Sequence, residues 1–329
     1  MSAQGAWARP DASAPPPVTA APVAPARSTP LLRRRRSSSP VVAALDGGGA
    51  ILRRRLRDVL VGSGVIMVPA VAADVWLGVE IRRRADGGGS VADASADGLD
   101  DLAAWVAITS AGLVAAAVGH LVAQLLLGER FRRPVTLGAA LARTARSTPA
   151  IVVAWLLTHW WFPLLALAVV AADDDARAGL IALSAFVGWF ASAAAVLVVP
   201  AMVDERLGPF AAVARGWRLA RRRYGACLLL VALSALLGSL LVAGMASLVP
   251  SLEALGFLHL GGASAVVQQV VVQLAVLLVV PLVALGTAQA HVELRVLVEG
   301  LDLSLEADAA FGPRPADEAA PFAARARTR

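Results

Sequence analysis

Residues 213–249 read VARGWRLARRRYGACLLLVALSALLGSLLVAGMASLV. The first third is rich in arginine with apolar residues at helical spacing, and from Tyr224 to Val249 there is no Asp, Glu, Arg, Lys or His. A helix needs about 20 apolar residues to cross about 30 Å of hydrocarbon. Backbone groups that meet lipid must find partners within their own segment, so a run of this kind is expected to be helical. Outward from this span, five more runs pass the same test: Val59–Val79, Leu102–Leu127, Ala150–Ala172, Ala178–Val203 and Ala263–Ala290. The fold class expected is therefore all-α, a polytopic membrane bundle of about six transmembrane helices with additional interfacial amphipathic helices.

Composition points the same way. At 58% hydrophobic and 16% charged residues over 329 positions, with a mean hydropathy of +0.69, the chain is too apolar for a soluble globule of its size. All 30 basic residues are Arg, and Ala, Gly, Val and Leu dominate, a composition expected of a GC-rich bacterial genome. The net charge of +6 does not suggest a nucleic-acid partner, because the arginines flank apolar runs and form no basic face interleaved with aromatics. Cys227, the single cysteine, lies inside an apolar run, which excludes a disulfide framework and thiolate metal clusters.

The arginines fall on alternate sides of the spans. Segments 1–57, 128–148, 204–223 and 291–329 hold 26 of them, whereas the intervening loops hold only Arg82, Arg83, Arg84 and Arg177. Basic loops resist translocation and are held by anionic headgroups, so both termini are expected in the cytoplasm and the chain in a bacterial cytoplasmic membrane. The triplet Arg82–Arg84 opposes this rule, but Arg53, Arg54, Arg55 and Arg57 on the other flank of the first span outweigh it. Residues 1–45, dense in Pro, Ala and Ser, are expected to be a disordered cytoplasmic tail; 46–306 form the membrane domain, and 307–329 a second disordered tail. The first apolar run is too long and too far along the chain for a signal peptide.

An arginine-rich amphipathic segment precedes each odd-numbered span. Before the fifth, Leu207, Phe210, Val213, Ala214, Trp217 and Tyr224 recur at steps of three and four, with Arg215, Arg218 and Arg222 on another face. Before the third, Leu137 and Leu141 oppose Arg143 and Arg146; before the first, Ile51, Leu52 and Leu56 oppose Arg53 and Arg57. The strings Ala140–Arg146 and Ala212–Arg218 align without gaps, which suggests a threefold repeat of interfacial helix, span, outer loop and span. Arg143, Arg146, Arg215, Arg218 and Arg222 are the candidate contacts to lipid phosphates of the anionic inner leaflet; the alternative is that they only enforce topology.

The string Val199-Pro-Ala-Met-Val-Asp-Glu-Arg-Leu-Gly-Pro-Phe210, followed by Arg215-Gly-Trp-Arg-Leu-Ala-Arg221, resembles the membrane domain named for glycerophosphoryl diester phosphodiesterases. Gly128-Glu-Arg130 with Thr136 to Arg146, and Glu293-Leu-Arg-Val296 with Glu299-Gly-Leu-Asp-Leu303, are similar to the same bacterial family. The resemblance covers roughly residues 46–306 and implies a multi-spanning domain, not the catalytic barrel that gives the family its name. Four scattered histidines and two short biased tails offer no place for that barrel. Where the family pattern carries a further basic residue after Val296, this chain has Leu297.

Ionisable and polar groups at membrane depth point to function by default. Asp74, His120, His159 and Gln273 are the candidates for an intramembrane polar site. The reading favoured is a non-enzymatic accessory or scaffold protein without cofactor or metal, contacting anionic lipid or a membrane-protein partner through its arginine-rich inner face. The alternative is a transporter or lipid-handling protein with a polar path between the spans. The spans offer no paired carboxylates or metal-ligand cluster for a membrane-embedded enzyme. Single cysteines at positions 93, 175 and 256 should react with an impermeant thiol reagent from outside the cell only; labelling of position 93 from the cytoplasm would overturn the orientation.

Overall fold

The computed structural model describes residues 40–86, 93–131, 133–162, 164–165, 168, 174–260 and 264–311. These are almost entirely helical, in the order α1 (Pro40–Asp86), α2 (Asp93–Arg130), α3 (Leu137–His159), α4 (Asp174–Ala195), α5 (Val198–Asp204), α6 (Pro209–Arg222), α7 (Tyr224–Ala254), α8 (Ser264–Glu299) and α9 (Leu301–Phe311). The chain divides into two compact units. One is Arg34–Leu301; the other joins Met1–Arg33 to Asp302–Arg329, and nearly all of α9 belongs to it. The all-helical bundle expected from the sequence is what the described residues form.

Five helical stretches are long and apolar enough to cross a membrane: Gly49–Ala73, Thr109–Arg130, Ala176–Asp204, Tyr224–Ala254 and Val267–Glu299. They coincide with five of the six expected spans. The remaining one, Ala150–Ala172, is followed as helix to His159, and part of its second half lies outside the described residues. Both ends of the loop between the first two spans are helical. α1 continues through Arg82–Arg84 to Asp86, and α2 begins at Asp93, so the arginine triplet sits at a helix C-terminus, where the macrodipole favours positive charge.

Each break in helix has a local cause. Within α1, Arg55 departs from helical geometry (φ −118°, ψ 17°), which kinks the helix at that residue. Between α4 and α5, Pro200 has no N–H to offer the carbonyl of Val196, and the helix restarts at Val198. α6 starts with Gly208 as N-cap and Pro209 in its first turn, where proline's missing donor costs nothing. It ends at Arg223 (φ −140°, ψ 44°), from which α7 departs. Gly300 closes α8 with φ 65° while its N–H reaches the Val296 carbonyl, a left-handed cap that suits glycine. In α3 the amphipathic segment and span form one helix, so the expected separate interfacial helix is absent there.

α1, α2 and α8 pack on one another; α7 lies against α8, α4 against α7 and α3 against α2. α5 fits beside α2, and α6 touches α3, α4, α5, α7 and α8. Two apolar clusters hold α6 in place. Leu219 and Ala220 join Ala193, Leu197, Cys227 and Leu294, while Ala212 joins Ile151, Ala154, Val198 and Met202. Large apolar side chains such as Val68, Leu156, Phe186, Leu240 and Val270 remain exposed, as expected where lipid is the solvent. Helix begins at Pro40, within the stretch expected as a tail over 1–45, and Val41 is buried against Leu230 and Ala290; residues 1–39 lie outside the described residues.

Two close approaches depend on the absence of a side chain. A Cβ on Gly128 would lie 2.8 Å from the carbonyl oxygen of Arg133, where the chain reverses after α2, and one on Gly216 would lie 3.1 Å from the Val198 nitrogen. Gly128→Ala should lower stability by about 1–3 kcal/mol, because backbone must shift to admit the methyl. Gly138→Ala, which meets nothing within 4 Å, should stay within about 0.5 kcal/mol of the parent. Thermal unfolding of the purified chain in one detergent compares the two.

Candidate functional site

Charged side chains gather where α2, α5 and α8 end and α6 begins. The turn after α5 carries Arg206 at φ 52°, a left-handed conformation uncommon for a residue with a side chain, and it sets Glu205 over α6. Arg215, two turns into α6, donates through Nε to both Glu205 oxygens at 2.7 and 2.9 Å. Its terminal nitrogens grip both oxygens of Glu299 at the end of α8, one at 2.7 Å and the other closer. One guanidinium thus joins three segments through the planar fork that lysine lacks. Burial works against the charge on Arg215, yet the hydrogen bonds to Glu299 and Glu205 outweigh it and hold its pKa above the ordinary arginine value.

α8 extends the network along one face. His291, Arg295 and Glu299 follow at four-residue steps, so they share a face. Arg295 donates to Asp204 at 2.5 Å and to Glu299 at 3.2 Å, while His291 Nε2 lies 3.2 Å from the same Asp204 oxygen. His291 is fully buried and its Nδ1 has no partner. A proton on Nδ1 would be orphaned, so the tautomer with N–H at Nε2, donating to Asp204, costs least.

On the other face of α8, Gln289 donates to Glu293 at 2.9 Å and Arg130 of α2 approaches Glu293 at 3.6 Å. Glu129 accepts two hydrogen bonds from Arg55 at 3.0 and 3.3 Å, and Arg55 also holds Asp58 at 3.0 Å. The kink in α1 therefore falls at the residue whose side chain ties that helix to the end of α2. Together these pairs form a girdle linking segments 1–57, 128–148, 204–223 and 291–329 at one end of the bundle.

Asp204, Glu205 and His291 bring one ligand atom each within 4.8 Å of one another, a set that could hold a metal ion. The donor chemistry speaks against one here. Arg295 already places a nitrogen on Asp204 and another 3.8 Å from Glu205, and the Nε2–H tautomer of His291 presents a proton, not a lone pair, to the site. The positive charge of this position is supplied by guanidinium.

The expected site residues are distributed differently. Arg143, Arg146 and Arg222 are exposed, and Arg218 is half-buried. Arg215 departs from the expectation: its donors are taken by Glu205 and Glu299, leaving it no free fork for a lipid phosphate. On α6, Ala212, Gly216, Leu219 and Ala220 form the buried face, and Phe210 and Trp217 are exposed, because close packing against α5 selects small side chains. Glu129 and Arg130 are partly buried and paired across helices.

His120 is buried, its Nδ1 3.2 Å from Thr144 and 3.1 Å from Gln124. His159 stacks on Trp155 with ring centroids 4.7 Å apart and lies near the Thr158 hydroxyl. Thr144 and His159 share α3 and are separated by about 22 Å of helix rise, so the two histidines belong to different depths. Gln273 is half-buried on α8, and the side chain of Asp74 lies outside the described residues. The residues missed were Arg55, Asp204, Glu205, His291, Glu293, Arg295 and Glu299. The four-residue spacing of His291, Arg295 and Glu299 was the available signal.

Comparison of the chain with family profiles, with curated proteins and with solved structures finds no match.

Arg215→Gln should destabilise the chain by about 2–4 kcal/mol by leaving Glu205 and Glu299 without their shared partner. Arg215→Lys should recover less than half of that loss. Pairing Arg215→Gln with Glu299→Gln should cost less than the sum of the single changes. Additive losses in thermal unfolding would show that the bridge carries no coupling.

Proposed function

We propose that this is a non-enzymatic accessory protein of the bacterial cytoplasmic membrane, of the kind the glycerophosphoryl diester phosphodiesterase membrane domain represents, with both termini in the cytoplasm. Its girdle end works as a rigid platform that contacts anionic inner-leaflet lipid and, through the same face, a membrane-protein partner. The observation that carries this reading is α6. The helix is pinned by Arg215 and by its small buried face, so it presents Phe210 and Trp217 outward with exposed Arg221 and Arg222 in its last turn.

That arrangement suits the water–lipid boundary. Aromatic rings settle at headgroup level, and guanidinium groups match phosphate oxygens bidentately. α3 touches α6 and adds exposed Arg143 and Arg146. The acids of the girdle are spent on internal arginines, which leaves the outer arginines to set the surface charge. Arg215 takes the role of fastening the helix, not of reading lipid. The alternative of a polar transport path gains no support from His120 and His159, which sit at separate depths.

The test is lipid retention by the full chain. Neutralising Arg143, Arg146, Arg221 and Arg222 to Gln should reduce co-purifying phosphatidylglycerol and cardiolipin more than about tenfold, since each basic residue near an anionic surface contributes about 1 kcal/mol. Mass spectrometry of the monodisperse protein in mild detergent measures this. Retention equal to that of the parent would remove the lipid role.

A further inference from the structure

Three arginines of the girdle each hydrogen-bond two carboxylates: Arg55 holds Asp58 and Glu129, Arg215 holds Glu205 and Glu299, and Arg295 holds Asp204 and Glu299. Arg130 differs. Its nearest carboxylate oxygen, on Glu293, is 3.6 Å away, beyond hydrogen-bond length, and its Nε is buried with no partner among the described residues. A buried donor left unmet is costly. Glu293 does not depend on Arg130 in return, because the same oxygen accepts from Gln289 at 2.9 Å.

Access and charge decide what can meet those donors. The Arg130 side chain is 26% exposed, so a ligand can reach it. The chain closes tightly after α2: Arg133 donates its backbone N–H to the Gly128 carbonyl at 2.7 Å, and the Val135 nitrogen lies 3.3 Å from where a Cβ on Gly128 would stand. That closure keeps the exposed Arg133 in the same turn as Arg130. The bonds from Arg55 to Glu129 bring α1 alongside, with Arg53, Arg54 and Arg57 exposed. Exposed guanidinium groups around an unmet fork select an anion, and the planar fork selects paired oxygens. Arg130 also closes the apolar span of α2, the level at which the phosphates of a bilayer lie.

We propose that Arg130, with Arg133 beside it, binds a phosphate group at the junction of α2 and α8, supplied by an anionic lipid headgroup or by free phosphate. Basic pockets between transmembrane helices hold anionic headgroups in this way. Glu293 tunes the site, since its carboxylate attracts Arg130 and repels the incoming oxygens. The residues lie on α2, α8 and the turn after α2, so the site is separate from the α6 surface and does not rest on the lipid contacts there.

The experiment titrates the full chain, stripped of lipid in a maltoside detergent, with dihexanoyl phosphatidylglycerol and separately with inorganic phosphate, and reads binding from phosphorus NMR line broadening. Arg130→Gln should weaken binding on the order of tenfold. Arg130→Lys should weaken it as well, because a point charge lacks the fork, whereas Glu293→Gln should tighten it. A purely structural pair predicts instead that Arg130→Gln and Glu293→Gln lower binding alike, and that result overturns the proposal. Binding of the lipid alone identifies a headgroup as the source, and binding of inorganic phosphate identifies the phosphate group itself. Binding of neither, or equal binding by Arg130→Gln and the parent, overturns the site. Replacing Arg143, Arg146, Arg221 and Arg222 by Gln should leave this binding unchanged; its loss there would assign it to the α3 and α6 surface and overturn the site.

Discussion

A guanidinium group beside hydrocarbon cannot lose its charge and cannot be left alone, so its carboxylate partners decide where the surrounding helices stand. Arg215 shows how far this reaches. Its contacts to Glu205 and Glu299 span ten and 84 positions of sequence and fasten the last turn of α8, the turn after α5 and the middle of α6 to one point. Desolvation of such ions is repaid only where geometry and hydrogen bonding are both good. That condition explains why a proline, a glycine cap and a left-handed Arg206 precede α6: the chain has to turn sharply enough to bring Glu205 back over Arg215.

The same constraint organises the rest of that end of the bundle. α1 bends at Arg55, the residue that reaches Glu129, and Arg130 next to it reaches Glu293. α8 is bonded on both faces, with Gln289 and Glu293 toward α2 and with His291, Arg295 and Glu299 toward α5 and α6. A helix held on two sides makes a stiff centre, and the exposed aromatic and basic residues of α6 inherit that stiffness. The headgroup contact proposed for this surface needs one that does not yield, which a loose interfacial helix would not provide.

Buried polarity lies close behind the girdle in the described part of the bundle. His120 is satisfied by Gln124 and Thr144, and His159 by its stack on Trp155 and by Thr158. The two histidines that invited a single polar path are thus local structural groups on different levels of α2 and α3.

Five of the spans were legible in the amino-acid order, because a run of apolar residues meets lipid whatever its neighbours are. Even the start of α6 could be read from Gly208-Pro209. Which face of α6 is buried could not be read, since Phe210 and Trp217 satisfy helical periodicity as well as Ala212 and Gly216 do, and only the close approach of Val198 selects the smaller set. Nor did composition distinguish Arg215 from Arg222. One meets two carboxylates and the other meets solvent because tertiary packing brings Glu299 to α6, a contact between positions too far apart for any local pattern to encode.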